Sequence, residues 1–315
     1  GSTVDNWLFA ADGTDLTITD QNGNGIDLLG TLDGGTGDGT ASVTIPLSSF
    51  SGTLDINSLA GDDQITIGTL TLLANQSLDV DGGTGTDTVT VNGAITTTGG
   101  DVSVTVAGTV TAGAITTTNA AGGAGSVTII GSSVTVGAID TDEGTNNAAP
   151  AGDVTLTATG GNLSVSSISA EGRHSIGAPY SDGGDVDLDA TGTLTVTGDI
   201  DTRSTNSFWS TCPGGTVTID AGGNINLAGI DTSTDAGPSA GQIGGQGGNI
   251  TISSTGGSVT AGALKTTGEN AADGALSISG LSLLLTGSVA TDSADLTLTG
   301  DEIDLTGGSG TVSGT

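Results

Sequence analysis

A phrase that recurs along this 315-residue chain constrains its fold more than any other feature. The phrase opens with Gly, places two apolar residues two positions apart, and passes through a turn to a second apolar pair. A break of small residues, a third apolar residue and often Thr complete it. Copies begin at Gly100, Gly125, Gly152, Gly184, Gly215 and Gly248, with a shorter copy at Gly274 and a truncated one at Ala294. No copy is long enough to bury its own apolar face, so we expect the copies to stack on one another.

Alignment of the copies produces three apolar columns. The first column holds Val102, Val127, Val154, Val186, Val217, Ile250, Leu276 and Leu296. The second holds Val110, Val134, Leu163, Leu194, Ile225, Val259 and Leu283. The third holds Leu70, Ile95, Ile115, Ile139, Ile168, Ile200, Ile230, Leu264 and Val289. These columns predict an all-β chain folded as a parallel β-helix, or solenoid, with about nine or more coils and three short strands per coil. Because parallel crossovers are right-handed, we expect a right-handed β-helix of roughly 40–45 Å, at about 4.8 Å per coil.

The sequence predicts two regions of unequal regularity. Residues 1–58 match the phrase poorly and contain Trp7, Phe9 and Phe50, half of the six aromatic residues. We interpret them as an N-terminal cap or irregular first coils, because the open end of a solenoid needs a cover. Residues 59–315 form the predicted β-helix. Its long loops all follow the third strand and so share one edge, where solenoids often carry their function. The loops span residues 118–124, 142–151, 171–183, 203–214, 233–247 and 267–273.

Composition excludes several classes of protein. The net charge is −32, from 35 acidic and three basic residues, so the chain lacks the basic face of a nucleic-acid-binding protein. A single Cys, Cys212, excludes a disulfide scaffold. No apolar run approaches the roughly 18 residues of a spanning helix, so we expect no membrane insertion. Disorder is the competing interpretation of so polar a chain, but the apolar residues alternate as they do in half-buried strands. Because the chain begins at Gly1 without Met, we expect a processed or excised piece.

Acidic glycine-rich turns are the candidate metal sites. The segment from Gly82 reads GGTGTDTVT and fits the calcium-binding nonapeptide G-G-x-G-x-D-x-U-x, with Asp87 at the acidic position. Asp38, Asp63 and Asp87 are 25 and 24 residues apart, close to one coil, so they could stack and share oxygen ligands with Ca²⁺. Ordinary Asp–Gly turn chemistry explains the same residues without a metal. The chain requires no cofactor in this interpretation, and Ca²⁺ is the one candidate ion.

Outward-facing Asp and Thr residues form further columns. Asp189 and Asp220 occupy one column in adjacent coils, and Asp201, Asp231 and Lys265 occupy another. Carboxylate pairs can hydrolyse polysaccharides, but no histidine or basic residue accompanies the first pair, so we expect solvated surface acids and no enzyme activity. A row of outward Thr residues resembles an ice-binding surface, although Thr is also a common exposed strand residue. The row holds Thr128, Thr155, Thr218, Thr251 and Thr297.

Rare residue types concentrate in two consecutive long loops. They are Arg173, His174, Pro179, Tyr180, Arg203, Phe208, Trp209, Cys212 and Pro213. One interpretation is that the loops pack on each other and cover the flank of the rod. The other is a ligand-binding patch, in which aromatic rings stack on sugars and arginines pair with acidic groups. The candidate ligand-binding residues are Arg173, Tyr180, Arg203, Phe208 and Trp209.

The recurring phrases G-x-V-x-L/I, GNL or GNI, and SIS or GID run from Gly100 to Thr267. They resemble the haemagglutinin-type repeats of large secreted bacterial adhesins, the class of filamentous haemagglutinin and autotransporter passengers. The resemblance covers about half to three-quarters of the chain and implies a right-handed β-helix displayed outside the cell, on the bacterial surface.

We therefore expect a non-catalytic structural or adhesive rod. It would be part of a surface adhesin, or the subunit of a cell-surface filament that associates end to end through open sheet edges. One alternative is a carbohydrate-binding module that takes cell-surface or extracellular glycans through the loop patch. The other is a polysaccharide-cleaving β-helix enzyme.

Overall fold

The computed structural model describes residues 5–23, 36–37, 39–119, 122–144, 149–173, 182–205, 212–235, 245–268, 272–291, 294–305 and 312–313. The described residues are all-β. They form three sheets of ten, seventeen and three strands, and contain one short 3₁₀ turn, Leu47–Ser49, but no α-helix. The predicted fold class is confirmed at this level, because the long sheets are built from stacked parallel strands, as in a β-solenoid.

The ten-stranded sheet carries the first apolar column, and every neighbouring pair in it is parallel. Its spatial order follows the order of the chain, because each coil adds one strand next to that of the coil before. Its strands are Thr53–Asn57, Ser77–Asp81, Val102–Thr105, Val127–Gly131, Val154–Ala158, Val186–Ala190, Val217–Ala221, Ile250–Ser254, Leu276–Ser279 and Leu296–Thr299.

The seventeen-stranded sheet carries the second and third columns. Its strands up to the middle of the chain are Asn6–Asp12, Asp15–Asp20, Ser42–Pro46, Gln64–Thr71, Thr88–Val91, Ile95–Thr96, Thr109–Ala112, Ile115–Thr116, Ser133–Asp140 and Leu163–Ser169. Those that follow are Leu194–Asp201, Ile225–Asp231, Val259–Lys265, Ser282–Leu285, Val289–Ala290, Glu302–Asp304 and Val312–Ser313. Strands of successive coils pair in parallel here as well.

In part of the rod, the predicted second and third strands of a coil are not separate strands. In several coils they form one continuous strand, as in Leu163–Ser169 and Leu194–Asp201. The break of small residues does not end the strand. Instead the pairing shifts register between Val165 and Ile168, as at a β-bulge, so the chain bends while its ladder continues.

Residues near the N-terminus pair differently from the later coils. Asn6–Asp12 pairs antiparallel with Asp15–Asp20, which pairs antiparallel with Ser42–Pro46. Asn6–Asp12 also pairs in parallel with Gln64–Thr71, so this antiparallel meander extends the seventeen-stranded sheet. The division of the chain at residue 58 stays a prediction.

The core lies between the sheets and consists of the three predicted columns. Each column residue pairs in register with the next one along the rod, as with Ile139, Ile168 and Ile200. The column side chains are buried apart from Leu296, which is half-buried. The buried apolar residues are Val, Ile, Leu and Ala, together with Phe9 and Cys212. The alternation of apolar residues therefore predicted the register of the described coils.

Candidate functional site

A column of glycines marks the edge at which the long loops rejoin the rod. A Cβ atom on any of these glycines would lie 1.9–2.2 Å from the carbonyl oxygen of the glycine one coil earlier. No side chain tolerates so close a contact with backbone, so only glycine lets adjacent coils approach here. We call this column the glycine seam; it holds Gly125, Gly152, Gly184, Gly215, Gly248 and Gly274.

Buried threonines close four of the loops against the glycine seam. The Thr202 hydroxyl donates to the Gly215 carbonyl at 2.9 Å, and the Thr232 hydroxyl donates to the Gly248 carbonyl at 2.7 Å. The Gly215 N–H in turn donates to the Thr202 carbonyl at 2.8 Å. Thr117 and Thr141 make equivalent hydroxyl bonds to seam carbonyls. These hydroxyl bonds join residues that are 8 to 16 positions apart in the sequence. The same kind of bond therefore closes loops of different length, and the rod beneath them is unchanged.

The bases of three loops stack on one another beyond the glycine seam. Gly172–Arg173, Ser204–Thr205 and Thr234–Asp235 form the three-stranded parallel sheet. Thr234, within this sheet, and Cys212 are buried, and the Thr234 hydroxyl donates to the Gly245 carbonyl at 2.6 Å. The bases of these loops are therefore in register with one another.

Most residues of the predicted ligand-binding patch follow these loop bases in the sequence. Tyr180, Phe208 and Trp209 lie outside the described residues, as do His174 and Pro179. The backbone of Arg173 belongs to the short three-stranded sheet. Arg203 is the one patch residue whose side-chain contacts the structure describes, and the patch as a whole stays a prediction.

Arg203 lies in a network of charges at the base of the loops. Its Nη2 is 2.7 Å from Asp201 Oδ2 and 2.5 Å from Glu171 Oε1, and its Nε donates to Asp201 Oδ1 at 2.8 Å. Asp231 Oδ2 is 3.9 Å from Arg203 Nε and 3.7 Å from Lys265 Nζ. Arg203 and Lys265 therefore pair with three acids, and the guanidinium already has partners within its own chain.

The charge network borders a groove of about 390 Å³ on the surface of the seventeen-stranded sheet. Burial raises the pKa of Asp201, against the opposing effect of its hydrogen bonds from Arg203. Those same bonds to Asp201 raise the pKa of Arg203 further above its usual range. Among its lining residues are Asp199, Asp201, Arg203, Asp231, Lys265 and Ser288.

The outward Asp columns take the register that the sequence predicted. Asp189 pairs with Asp220, and Asp201 pairs with Asp231. Burial raises the pKa of Asp187, and the neighbouring charges of Asp189 and Asp220 raise it further. Asp187 also stands within the predicted Thr row, between Thr155 and Thr218, and breaks its regularity.

A polar ladder that the sequence reasoning missed runs along the ten-stranded sheet. The side chain just before the first apolar column accepts a hydrogen bond from the backbone N–H one coil further on. Asp153 Oδ1 accepts from Asp185 N at 2.9 Å, and Asp185 Oδ1 accepts from Thr216 N at 2.7 Å. The same bond joins Asp101 to Ser126. The sequence signal for this ladder is the recurring pair GD, GS or GN at the start of the phrases.

Asp63 and Asp87, two of the predicted metal ligands, stack in adjacent coils at a corner of the rod. The Asp63 N–H donates to Asp87 Oδ1 at 2.9 Å, and the Asp5 N–H donates to Asp63 Oδ1 at 2.8 Å. Both carboxylates are buried. Asp38 lies outside the described residues, so a shared site of all three stays a prediction.

Within the described ranges, His, Cys, Asp and Glu do not gather in threes or more in a metal-holding arrangement. No helix in that part of the chain is long and apolar enough to cross a membrane. Comparison of the chain with family models, curated proteins and solved structures finds no match.

Proposed function

We propose that this chain is a non-catalytic structural and adhesive rod, either a segment of a bacterial surface adhesin or the subunit of an extracellular filament. In this proposal it is a right-handed β-helix of about nine coils. The acidic excess suits a surface exposed to salt and Ca²⁺, because a large net charge keeps an isolated rod soluble.

The observation that carries the proposal is the in-register stacking of all three apolar columns along the described rod. The polar side chains reinforce the same stacking. Asp153 and Asp185 bind backbone groups of the next coil, Thr232 closes a loop, and Arg203 neutralises stacked acids. Because these side chains bind other parts of the same stack of coils, they support a mechanical role.

Exposed apolar side chains support end-to-end association as the way such rods assemble. Leu281, Ile303 and Leu305 are 52%, 42% and 38% exposed. Ile303 lies in the edge strand Glu302–Asp304 and Leu305 follows it, while Leu281 precedes Ser282–Leu285, the strand that pairs with that edge strand. A sheet edge beside such side chains favours pairing with a strand of another copy. Asp301 and Glu302 are neighbours of the same edge, so association should strengthen when salt or Ca²⁺ screens their charges.

Negative-stain electron microscopy tests the proposal. Images of the chain in millimolar calcium and in chelator should contain rods that join end to end, more often in calcium. Leu281→Asp together with Ile303→Asp should leave short single rods. Leu73→Asp, at a leucine with 36% exposure remote from that edge, should assemble normally.

Two outcomes count against parts of the proposal. Single rods in every buffer would overturn the filament form and leave the adhesin segment. Particles that are not rods would overturn the structural role itself.

A further inference from the structure

Two carboxylates are sealed within one corner of the rod. The corner is formed by residues 58–63 and 82–87, which we call the corner turns. Asp63 is 1% exposed and Asp87 is 0% exposed. Each has one oxygen, Oδ1, that accepts a single backbone hydrogen bond from the coil before it. The two acids are therefore stacked side chains of neighbouring coils in a dry environment.

The second oxygen of each carboxylate has no partner. Asp63 Oδ2 and Asp87 Oδ2 are inaccessible to solvent and accept no hydrogen bond. Burying a carboxylate without a counter-charge is unfavourable, and two like charges one coil apart add repulsion. Among the described basic side chains, Arg203 and Lys265 pair with other acids, so neither neutralises this corner.

A glycine and a further acidic residue lie beside these carboxylates. A Cβ on Gly82 would lie 2.8 Å from Asp87 Oδ2, so only glycine lets the backbone approach that oxygen. Asp5 lies next to Asp63, since its backbone N–H donates to Asp63 Oδ1. The corner thus concentrates negative charge around two oxygens that lack partners.

We propose that Asp63 Oδ2 and Asp87 Oδ2 bind one Ca²⁺ ion, which ties two adjacent coils together. Carboxylate oxygens are the ligands of hard divalent cations, and no His or Cys side chain occurs in either corner turn. Ca²⁺ fits better than Mg²⁺, because Mg²⁺ retains several waters and this corner is dry. The inference rests on the two unpartnered oxygens and is independent of the proposed rod function.

The test compares Asp63→Asn and Asp87→Asn with the unmodified chain, and uses Asp189→Asn as the matched control. Asp189 is a stacked but exposed acid, so the control removes one charge without touching the corner. Asn keeps the oxygen that accepts the backbone N–H and removes the buried charge. Thermal unfolding is followed in chelator and in millimolar calcium, at about 0.15 M salt to suppress diffuse binding.

We expect the effect of calcium on the unfolding temperature to differ between the corner variants and the other two chains. In calcium, the unmodified chain and Asp189→Asn should unfold at a higher temperature than in chelator, because Ca²⁺ binds only the folded chain. The two corner variants should lose this shift. In chelator they should be at least as stable as the unmodified chain, because they no longer bury an unpaired charge.

A direct binding measurement accompanies the unfolding data. Tb³⁺ is a luminescent substitute for Ca²⁺, and Trp7, which pairs with Ile65 next to the corner, should sensitise it. Calcium should displace the signal at one site per chain, and Mg²⁺ should displace it poorly. Retention of the calcium shift in Asp87→Asn, or no calcium shift in the unmodified chain, would overturn the site.

Discussion

Single residues at the glycine seam decide whether two coils can meet. The recurring glycine that opens each phrase was visible in the sequence, but its reason was not. A Cβ on Gly215 would lie 2.0 Å from the Gly184 carbonyl oxygen, a contact that appears only once the coils are stacked. Alternation in one strand predicts which residues face inward, whereas contacts between coils depend on backbone paths that spacing does not define.

Gly215→Ala should destabilise the rod by about 1–3 kcal/mol or more, because the new methyl group must push adjacent coils apart. Gly160→Ala is the matched control, since its Cβ would lie 3.6 Å from the nearest atom. Urea unfolding of both variants measures the difference. Equal stability of the two variants would contradict the tight seam.

Thr232→Val should cost roughly 1–2 kcal/mol, because it removes the buried hydroxyl that donates to the Gly248 carbonyl but keeps the side-chain shape. Thr251→Val, at an exposed position of a neighbouring strand, should be close to neutral. The free energies of unfolding are the measurement. A loss at Thr251 as large as that at Thr232 would argue against a closing role for the buried hydroxyl.

Asp187 should make the rod less stable as the pH rises. Burial, then the charges of Asp189 and Asp220, raise its folded pKa above the ordinary value of 3.8, so the folded chain holds this proton more tightly than the unfolded chain. Protonation thus favours folding, and ionisation at higher pH opposes it. Asp187→Asn should match the original chain at low pH and become progressively more stable than it between about pH 3.8 and pH 7. Urea unfolding across this range would show a constant difference if the account of Asp187 is wrong.

At the scale of elements, the sequence predicts only part of the charge pairing between strands and loop bases. The stacking of Asp201, Asp231 and Lys265 followed from their equivalent places in the phrase, and the structure confirms it. The ligand-patch role of Arg203 stays a prediction; the residue also lies two positions after Asp201 and one coil from Glu171, and it pairs with both. Period-two alternation could have placed Arg203 beside Asp201, but Glu171 required the register of the loop bases.

Arg203→Met should destabilise the chain by about 1–3 kcal/mol, because it removes the guanidinium that pairs with Glu171 and Asp201 at a partly exposed site. Adding Asp201→Asn should restore much of the loss. Lys265→Met is the comparison, and its effect should stay below about 1 kcal/mol because the pair is more exposed. The loss in Arg203→Met should shrink at high salt, and an unchanged loss would mean that packing, not charge, holds Arg203.

At the scale of the whole molecule, the repeat phrase predicted the architecture well and the chemistry poorly. Three apolar columns sufficed for the parallel stack, because a slip of one residue would turn each apolar face to solvent. The same periodicity did not predict that Val165 and Ile168 share one strand, since hydrogen bonding continued through the small-residue break. Nor did it find the buried, unpartnered oxygens of Asp63 and Asp87, which depend on how a corner closes.

An experimental crystal structure of the chain tests the central claim, that parallel coils stack with their apolar columns in register. We predict Ile139, Ile168 and Ile200 in one buried column with a spacing of about 4.8 Å, in a right-handed helix. Antiparallel pairing of these strands, or a register in which these isoleucines face solvent, would contradict the account.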